Sequence, residues 1–267
     1  MTLAVCATPI GNLDDVTLRV LRELAEADLV LCEDTRRTQI LLRRHGISAR
    51  LLSYHEHNEA ARTAEILPRL RAGERVALVS DAGLPGISDP GVRLVRSALD
   101  AGVEVTVLPG PSAVETALVA SGLVGERYQF VGYLPRGGRA LDALWEELRA
   151  WPHPVVAFES PKRLPATLRS LAAAQPDRPV AVCRELTKRF EEVVRGTAAE
   201  VAARLPEAPK GEIALVFGAA APAVPDDAEA VAAVRELVAA GVSRRRASEL
   251  VARLTGTSRR ELYETSL

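Results

Sequence analysis

The stretch Ser80-Asp-Ala-Gly-Leu-Pro-Gly-Ile-Ser-Asp-Pro-Gly91 follows an apolar run at residues 75–80 and precedes a helical pattern that begins near Val92. Its three glycines and two prolines exclude regular secondary structure, so the stretch is predicted to be an extended loop. Open α/β sheets bind ligands at the carboxyl ends of their strands, and this loop follows a predicted strand. A plain turn, with Asp89 capping the next helix and Pro90 at its first position, leaves the preceding polar residues unexplained. We therefore predict a ligand-binding loop.

The first half of the chain repeats one pattern, in which a strand is followed by a polar or Gly/Pro-rich loop and then by a helix. The predicted strands are residues 2–8, 28–32, 50–53, 75–80 and 103–108. Such alternation is typical of a mostly parallel sheet with helices on both faces. The loops at residues 9–12, 81–89 and 109–113 should therefore meet at the carboxyl edge of this sheet.

The second half also alternates strands with helices, after a crossing segment near residues 122–132. Its predicted strands are residues 155–159, 180–183, 191–195 and 213–218. We expect the strands at 191–195 and 213–218 to pair antiparallel with each other. The fold prediction is therefore α/β, with an N-terminal domain over residues 1–121 and a C-terminal domain over residues 122–221.

The end of the chain is predicted to be a helical tail over residues 226–267. Pro222 and Pro225 mark a linker in front of it. The predicted helices are residues 228–240, 244–254 and 259–265, and the last two form a hairpin similar to a helix–turn–helix. The role of the tail has two alternatives: its arginines serve substrate binding, or the tail covers the second domain or a dimer contact.

Composition restricts the classes of protein to consider. The 267-residue chain has a net charge of −1, so no global basic field indicates a nucleic-acid partner. No apolar run is long enough to span a bilayer, and no signal peptide is evident. Cys6, Cys32 and Cys183 stand singly in apolar segments, which predicts buried, reduced thiols and a cytoplasmic protein. The dinucleotide and phosphate-loop glycine motifs do not occur, which disfavours nicotinamide and nucleoside triphosphate cofactors.

Several motifs resemble those of the tetrapyrrole methylase superfamily. They are Thr8-Pro-Ile-Gly-Asn-Leu13, Glu33-Asp-Thr-Arg36, Ser80-Asp-Ala-Gly83, Ser88-Asp-Pro-Gly91, Leu108-Pro-Gly-Pro-Ser-Ala113, Glu159-Ser-Pro161, Arg184-Glu-Leu-Thr-Lys188 and Lys210-Gly-Glu212. Within the superfamily, their combination is similar to ribosomal small-subunit RNA methyltransferases that modify a cytidine 2′-hydroxyl. The resemblance covers nearly the whole chain. It implies S-adenosylmethionine as methyl donor, a donor cleft between two α/β domains, a homodimer, and 16S ribosomal RNA of the small subunit as substrate.

The resemblance also implies which residues contact the donor. They are Pro9, Asp81, Ala82, Gly83, Ile87, Ser112, Ala113, Glu159 and Ala214. The residues themselves offer polar loops and a helix start for the methionine end of such a ligand, and apolar strand ends for its adenine. Many small-molecule members carry Gly-Asp-Pro where this chain has Asp81-Ala-Gly83, so side-chain roles in the central loop do not transfer directly.

A ribose hydroxyl is a poor nucleophile, so a base or a charge that stabilises its anion should assist the transfer. The predicted catalytic residues, all near strand ends, are Lys188, Asp34, His55 and Glu185, with Glu159 as a further candidate. Lys188 is favoured because lysine accounts for only three of the 34 basic residues. A desolvated lysine can change its proton affinity, whereas arginine cannot. The alternative for each residue is a surface or capping ion pair.

Two local features leave alternatives open. His55 and His57 would share one face of a strand, but no Cys or further His completes a metal site there, so no metal is predicted. Asn58 is instead expected to cap the helix that follows it. Asp34 or Thr35 is expected to cap the preceding helix, which starts at the motif Glu33-Asp-Thr-Arg36.

The arginine clusters, including Arg36-Arg37 and Arg244-Arg-Arg246, indicate either phosphate contacts or solvated faces. Aromatic residues make up only 4% of the chain, so stacking platforms for bases are expected to be scarce. Two alternative functions remain at this stage. One is methylation of a corrin or porphyrin ring, and the other is a non-catalytic ribosome-binding factor.

Overall fold

The computed structural model describes residues 3–220 and 227–266 of the chain. They divide into two compact units, one up to Ala219 and one from Ala220 onward. The first unit contains two five-stranded sheets, and the second contains three helices. The predicted linker prolines Pro222 and Pro225 lie outside the described residues. None of the described helices has the length and apolar character needed to cross a bilayer.

The first sheet is fully parallel, with strand order β3-β2-β4-β1-β5. Its strands are β1 (Leu3–Cys6), β2 (Leu29–Cys32), β3 (Leu51–Ser53), β4 (Val76–Val79) and β5 (Val105–Leu108). Its helices are α1 (Leu18–Glu26), α2 (Thr35–Arg44), α3 (Glu59–Arg71), α4 (Val92–Asp100) and α5 (Ala113–Ser121). The parallel α/β arrangement predicted for this half is confirmed.

Both faces of this sheet are covered, because alternate residues of a strand point in opposite directions. In β1, Leu3 and Val5 pack in a cluster with α3 and α4, whereas Ala4 and Cys6 pack in a cluster with α1 and α2. Strands β1, β2 and β4 are buried at every residue. Each fully buried Val or Leu side chain contributes about 1.5–3 kcal/mol relative to its exposed state. This burial explains why these strands read as continuous apolar runs.

The second sheet is mixed, with strand order β6-β7-β10-β8-β9. Its strands are β6 (Gln129–Tyr133), β7 (Val155–Glu159), β8 (Pro179–Arg184), β9 (Glu192–Thr197) and β10 (Ile213–Phe217). Helices α6 (Gly138–Leu148), α7 (Leu164–Ala174) and α8 (Ala198–Arg204) pack on one face. Helix α5 packs on the other face through Val114, Ala117 and Leu118. Since α5 follows the first sheet and packs on the second, it joins the two sheets.

Strand pairing in the second sheet differs from the prediction. The expected antiparallel pair of residues 191–195 and 213–218 is wrong, because β8 lies between β9 and β10 and pairs antiparallel with both. Strand β10 pairs with β7 on one side and with β8 on the other, so it is a central strand of the sheet. All of its residues are buried. Strand β6 was not predicted at all. Gly132 has a φ of 69°, and the pairing register shifts between Phe130 and Tyr133, which interrupts the alternation that identifies a strand.

The predicted helix caps have different outcomes. Asp34 caps α2 as predicted, accepting a hydrogen bond of 2.8 Å from the Arg36 backbone N–H. Asn58 precedes α3, but its side chain bonds no N–H of that helix. Its Oδ1 accepts from the backbone N–H of His55 at 2.9 Å, and its Nδ2 donates to the Ser53 carbonyl at 3.2 Å. Asn58 therefore stabilises the turn before the helix, and its predicted capping role is wrong.

The second unit consists of α9 (Asp227–Ala239), α10 (Arg244–Thr255) and α11 (Arg259–Thr265). These helices enclose a small core of Ala230, Val234, Ala247, Val251 and Leu262. Helix α10 ends at Thr255, and the next residue, Gly256, has a φ of 77°, in the left-handed region that glycine favours. Ser258 then caps α11 by accepting a hydrogen bond from the Glu261 backbone N–H.

Candidate functional site

A cleft of about 850 Å³ lies between the two sheets of the first unit, a size within the range of small-molecule sites. One side is formed by the loops after β1, β2, β4 and β5 and by the starts of α2 and α5. Its residues are Ile10, Glu33, Arg37, 81–84, 87–89 and 109–115. The other side is formed by strands of the second sheet and the loops beside them, and its residues are Tyr128, Phe130, Tyr133, Cys183, Leu186, 158–161 and 211–214. All three loops expected at the carboxyl edge of the first sheet therefore line one cleft.

The central loop is fixed to the first loop by backbone pairing. The Thr8 N–H donates to the Gly83 carbonyl at 2.8 Å, and the Gly83 N–H donates to the Thr8 carbonyl at 3.0 Å. The Thr8 hydroxyl also donates to the Ser80 carbonyl at 3.0 Å. Gly83 has a φ of 74°, a conformation that glycine adopts without steric cost. These bonds hold the loop in one position at the edge of the sheet.

The alternative role of Asp89 as a helix cap is wrong. Gly91 is the residue before α4, with a φ of 140°, and no side chain caps this helix. A Cβ on Gly91 would lie 3.1 Å from Leu78 Cδ2, so glycine also allows the chain to pack closely here. Asp89 instead lines the cleft in a half-buried position.

Four carboxyl groups line the side of the cleft formed by the first half, namely those of Glu33, Asp81, Asp89 and Glu115. Burial and the neighbouring Glu33 raise the pKa of Asp89 to about 6. Burial and the charge of Asp81 raise the pKa of Glu33, while Arg37 opposes this rise. Asp81 accepts a hydrogen bond of 3.0 Å from the Asp34 backbone N–H and lies 3.5 Å from the Arg37 guanidinium. This side of the cleft therefore favours a cationic ligand.

Helix α5 begins in the cleft, and no side chain caps its first N–H groups. Ser112 precedes the helix, but its hydroxyl donates to the Glu115 carboxylate. The Tyr128 hydroxyl donates to the same carboxylate at 2.5 Å. The first N–H groups of a helix lack intrahelical partners, and the helix dipole is positive at this end. The start of α5 can therefore bind a carboxylate or another anion.

The second sheet gives the cleft an aromatic wall. The Phe158 ring lies edge-to-face with Phe130 and Tyr133, at centroid distances of 5.0 and 5.6 Å. Burial, together with Glu212 and Asp89, raises the pKa of Tyr133. The aromatic wall and the carboxyl groups therefore lie close together, so the cleft offers one apolar and one acidic region to a ligand.

The family model described as Tetrapyrrole (Corrin/Porphyrin) Methylases matches residues 2–202 of the chain. The chain belongs to the tetrapyrrole methylase family. Among its relatives, the ribosomal RNA small subunit methyltransferase I of Mesorhizobium japonicum is 44% identical over 99% of this chain and 91% of its own length. The protein of the same name from Thermotoga maritima is 46% identical over 80% of this chain and 97% of its own length.

Solved structures of other proteins share the tetrapyrrole methylase fold. The methyltransferase CobJ superposes with a TM-score of 0.63 at 20% identity, covering 82% of this chain and 95% of its own. Uroporphyrin-III C-methyltransferase from Thermus thermophilus, complexed with S-adenosylhomocysteine, has a TM-score of 0.57 at 21% identity, covering 82% and 97%. At these identities the likeness supports the fold alone.

The donor contacts predicted for a tetrapyrrole methylase are brought together by the fold. All of them line the cleft except Pro9, which is buried next to the lining residue Ile10. Glu159 is only 2% exposed, and its carboxylate accepts from the Ser160 N–H and the Thr167 hydroxyl, both at 2.6 Å. It also pairs with Arg163 at 3.2 Å. Because its side chain is fully engaged, Glu159 can offer only its backbone to a ligand.

None of the four predicted catalytic residues is among the residues that line the cleft of this tetrapyrrole methylase. Asp34 caps α2, and its hydrogen bonds with Arg36 lower its pKa. The His55 ring bonds the Asn58 amide at 3.0 Å. Both residues therefore have structural partners in the loops behind the cleft.

Lys188 and Glu185 form a three-membered ion-pair cluster with Glu212. The Lys188 ammonium donates to Glu185 at 2.9 Å and to Glu212 at 2.8 Å. Burial acts to lower the pKa of Lys188, but the hydrogen bonds to the two carboxylates raise it overall. The two carboxylates therefore favour the protonated form of Lys188, which suits an ion pair better than the role of a base. Its aliphatic stem covers Gly11, where a Cβ would lie 2.5 Å from Lys188 Cγ.

Within residues 3–220 and 227–266, no group of three or more His, Cys, Asp or Glu side chains is arranged to hold a metal ion. His55 lies just before a turn and His57 lies within it, so neither is in a strand; their ring centroids are 6.0 Å apart. Cys6, Cys32 and Cys183 are buried free thiols. Burial raises their pKa values to about 12, 11 and 11, so they are inert apolar residues.

Three cleft residues are missing from the site predicted for this tetrapyrrole methylase. Glu33 belongs to the quoted motif Glu33-Asp-Thr-Arg36, but its neighbour Asp34 was selected. Asp89 belongs to the predicted ligand-binding loop, but from the sequence it was considered only as a helix cap. Tyr133 lies in the strand that the sequence did not reveal. The motif at residues 33–36 could have identified Glu33, and the central loop could have identified Asp89. No feature of the sequence indicated Tyr133.

Proposed function

We propose that the protein transfers a methyl group from S-adenosylmethionine to the ribose 2′-hydroxyl of a cytidine in 16S ribosomal RNA. The observation that carries this proposal is the identity of 44% with a ribosomal RNA small subunit methyltransferase I over 99% of the chain. The cleft of about 850 Å³ between the sheets supports it as a site for the donor. The protein would act on the small ribosomal subunit in the cytoplasm, and it would form a homodimer.

The residues of the cleft suit S-adenosylmethionine. Its carboxylate would bind the uncapped start of α5 at Ser112 and Ala113. Its two positive charges, on the ammonium and the sulfonium, match the carboxyl groups of Glu33, Asp81 and Asp89. Its adenine would lie against the apolar strand ends near Phe158. Each chemical part of the donor thus has a complementary region of the cleft.

The bound donor supplies a methyl group on a positively charged sulfur, which makes the methyl carbon electrophilic. The chain itself orients the acceptor and receives a proton. We assign the proton to Asp89: the 2′-oxygen would form its bond to the methyl carbon as the methyl–sulfur bond breaks and the neutral thioether leaves, and the hydrogen of the hydroxyl would pass to the Asp89 carboxylate. Asp89 lines the cleft, and a pKa of about 6 leaves it ionised yet basic at neutral pH. Asp34, Glu185 and Lys188, which face other partners, would act by positioning the surrounding loops.

Methylation of a corrin or porphyrin ring is the second candidate, because the family model is named for it. A ring that bears carboxylates around its edge would meet Glu33, Asp81 and Asp89 in this cleft. Like charges in a partly buried site repel, which counts against such an acceptor. RNA avoids this conflict if only one ribose enters the cleft and the phosphates stay outside.

We further propose the domain limits 1–121, 122–221 and 226–267, with the last as an accessory element. The Thermotoga maritima relative is matched over 97% of its length, yet it leaves a fifth of this chain unmatched. That fraction is about the size of the second unit, residues 220–267. The helical unit would therefore add affinity for the small subunit, with the chemistry performed by the two sheets.

Tritium transfer tests the proposal. Labelled S-adenosylmethionine is expected to pass its methyl group to small ribosomal subunits that lack this modification, and not to uroporphyrinogen. A non-catalytic ribosome-binding factor would bind the subunits and transfer no label. Label in the tetrapyrrole alone would establish the second candidate in place of the first.

Donor binding gives a separate prediction. S-adenosylmethionine or S-adenosylhomocysteine at about one hundred times its dissociation constant should stabilise the fold by about 2.7 kcal/mol in the presence of EDTA. For a unit of this size, that shift raises the melting temperature by about 5 °C or more. Scanning fluorimetry measures it, with ATP as a control nucleotide. The absence of a shift with both ligands at millimolar concentration would contradict a donor site in the cleft.

A further inference from the structure

The loop between β8 and β9, residues 185–191, is held in one conformation by bonds that the remainder of the fold supplies. Glu185 and Thr187 have φ values of 51° and 65°, which non-glycine residues rarely adopt. The Glu185 N–H donates to the Glu212 carbonyl at 3.0 Å, and the Thr187 N–H donates to the Glu191 carboxylate at 2.7 Å. The Lys188 ammonium bridges Glu185 and Glu212. The loop is therefore a rigid support.

This loop presents an aromatic ring to solvent. Phe190 is 64% exposed, although phenylalanine is one of the residues most often buried in folded proteins. The Arg189 guanidinium lies over its ring, 5.5 Å from the centroid, within the range of a cation–π contact. Among the described residues, no carboxylate forms an ion pair with Arg189. Phe190 likewise belongs to none of the buried hydrophobic clusters formed by the described residues.

The position of the loop links this ring to the cleft. Leu186, four residues before Phe190, lines the cleft, and so does Glu212, which Lys188 holds. Four residues span at most about 14 Å, which is the length of about two nucleotides along a strand. The ring therefore lies within reach of a nucleotide that enters the cleft, or of its neighbour.

We propose that Arg189 and Phe190 form a stacking platform for a nucleobase of the RNA acceptor, at or beside the nucleotide whose ribose is methylated. A planar base stacks on the exposed ring, and the unpaired guanidinium meets a phosphate. The two acidic residues after the ring are already engaged, Glu191 by the Thr187 N–H and Glu192 by the Arg184 guanidinium. The charge left beside the ring is therefore that of Arg189, which suits RNA better than the wide apolar contact of a protein partner. The platform rests on the proposed function, because it assigns part of that acceptor's binding site. One such platform agrees with the expectation that stacking platforms are scarce in this chain.

The test compares steady-state methylation of small ribosomal subunits by Phe190→Ala, Phe190→Trp and the wild type. Phe190→Ala should raise the KM for subunits by about tenfold, while kcat and the affinity for S-adenosylmethionine stay within twofold. Phe190→Trp keeps a stacking ring and should stay within twofold of wild type. Leu99→Ala, which shortens another exposed apolar side chain, is the matched control and should change nothing.

Arg189→Gln separates the charge from the ring. It should raise the KM for subunits several-fold and reduce the slope of log KM against log salt by about 0.7–0.9, the contribution of one phosphate contact. All variants should keep the wild-type melting temperature within about 2 °C, because both side chains are exposed. A subunit KM within twofold of wild type for Phe190→Ala would overturn the platform.

Two further outcomes distinguish the platform from other accounts. If Phe190→Ala turns a dimer into a monomer in sedimentation and leaves the KM for subunits unchanged, the ring belongs to a contact between copies and the platform is overturned. If the wild type transfers no methyl group to RNA, the proposed function fails on its own. The platform is then judged by filter binding of labelled small-subunit RNA, where equal affinities of Phe190→Ala and wild type would overturn it.

Discussion

Replacing Asp89 with asparagine is expected to slow methyl transfer to small subunits by a factor of about 10²–10⁴, the usual contribution of a proton acceptor. The wild-type kcat/KM should rise as the pH increases through about 6, because only the ionised Asp89 can accept the proton. This acid limb should disappear in Asp89→Asn. In the pH profile of kcat at saturating donor, the acid limb should lie below pH 6, because the positively charged donor favours the ionised Asp89 carboxylate. Single-turnover rates between pH 5 and 8 measure both effects.

The control for Asp89→Asn is Asp142→Asn, which removes an equivalent charge from an exposed position on α6. It should leave rate and pH profile unchanged. A rate for Asp89→Asn within about threefold of wild type, with the acid limb intact, would exclude Asp89 as proton acceptor. The donor-induced thermal shift should persist in both variants and be smaller in Asp89→Asn, because the donor loses one matching carboxylate. The loss of the acid limb therefore reports on catalysis separately from binding.

The same substitution should stabilise the free protein at neutral pH. The pKa of Asp89 is raised from its ordinary value of 3.8 to about 6, so the native state binds this proton more tightly than the unfolded state. The free energy of unfolding therefore falls as pH rises from about 4 to about 6. Asp89→Asn avoids that loss, which is at most about 1 kcal/mol because solvent screens the half-buried carboxyl group. The two proteins should have equal stability near pH 3.5.

Replacing Gly11 with alanine is expected to damage the donor cleft and the fold together. A Cβ at this position would lie 2.5 Å from Lys188 Cγ and 2.7 Å from the Leu186 carbonyl oxygen. Backbone atoms cannot move away cheaply, so the first loop and the loop after β8 must separate. Overpacking of this kind costs about 1–3 kcal/mol of unfolding free energy. Because Ile10 and Leu186 both line the cleft, donor affinity should also fall at least about tenfold.

Gly138→Ala provides the matched control for Gly11→Ala. A Cβ on Gly138 would meet no atom within 4 Å, and alanine is a better helix former at the start of α6. Denaturant melts and calorimetric titration with S-adenosylhomocysteine should therefore leave Gly138→Ala at or above wild type. If Gly11→Ala binds the donor with wild-type affinity and stability, the close contact between the two loops has no role in forming the cleft.

The sequence predicted the first sheet well because its central strands are buried on both faces. Residues 29–32 and 76–79 are continuous apolar runs, and glycines or prolines mark the loop after the second of these runs. Burial and chain breaks are both visible in a sequence. The parallel α/β pattern and the position of the ligand loops follow from them.

The second sheet was harder to predict because its order depends on contacts between distant residues. The interposition of β8 between β9 and β10 leaves no trace in the local pattern of any of these strands. Strand β6 carries Gly132 at a φ of 69°, so its alternation is broken. Local periodicity identifies strands, but only tertiary pairing fixes which strands are neighbours.

The candidate site, like the fold, was predicted where local sequence decides the structure and missed where contacts between distant residues decide it. Loop position placed Asp81 and Ser112 at the cleft, because the loops after β4 and β5 both line it. The direction of a side chain is set by its partners, and these cannot be read from the sequence. Lys188 is held by two carboxylates from separate segments, and Glu159 is held by residues of α7 and the turn before it. The environment that raises the pKa of Asp89 likewise exists only in the folded chain.

The central claim is methylation of a cytidine ribose in small-subunit RNA. Small subunits that lack the modification are incubated with the protein and labelled S-adenosylmethionine, and their RNA is digested to nucleosides for mass spectrometry. We expect the label in 2′-O-methylcytidine alone, with none in Asp89→Asn over the same time. Label on a base, label in another ribose, or RNA without label beside a labelled tetrapyrrole would contradict the claim.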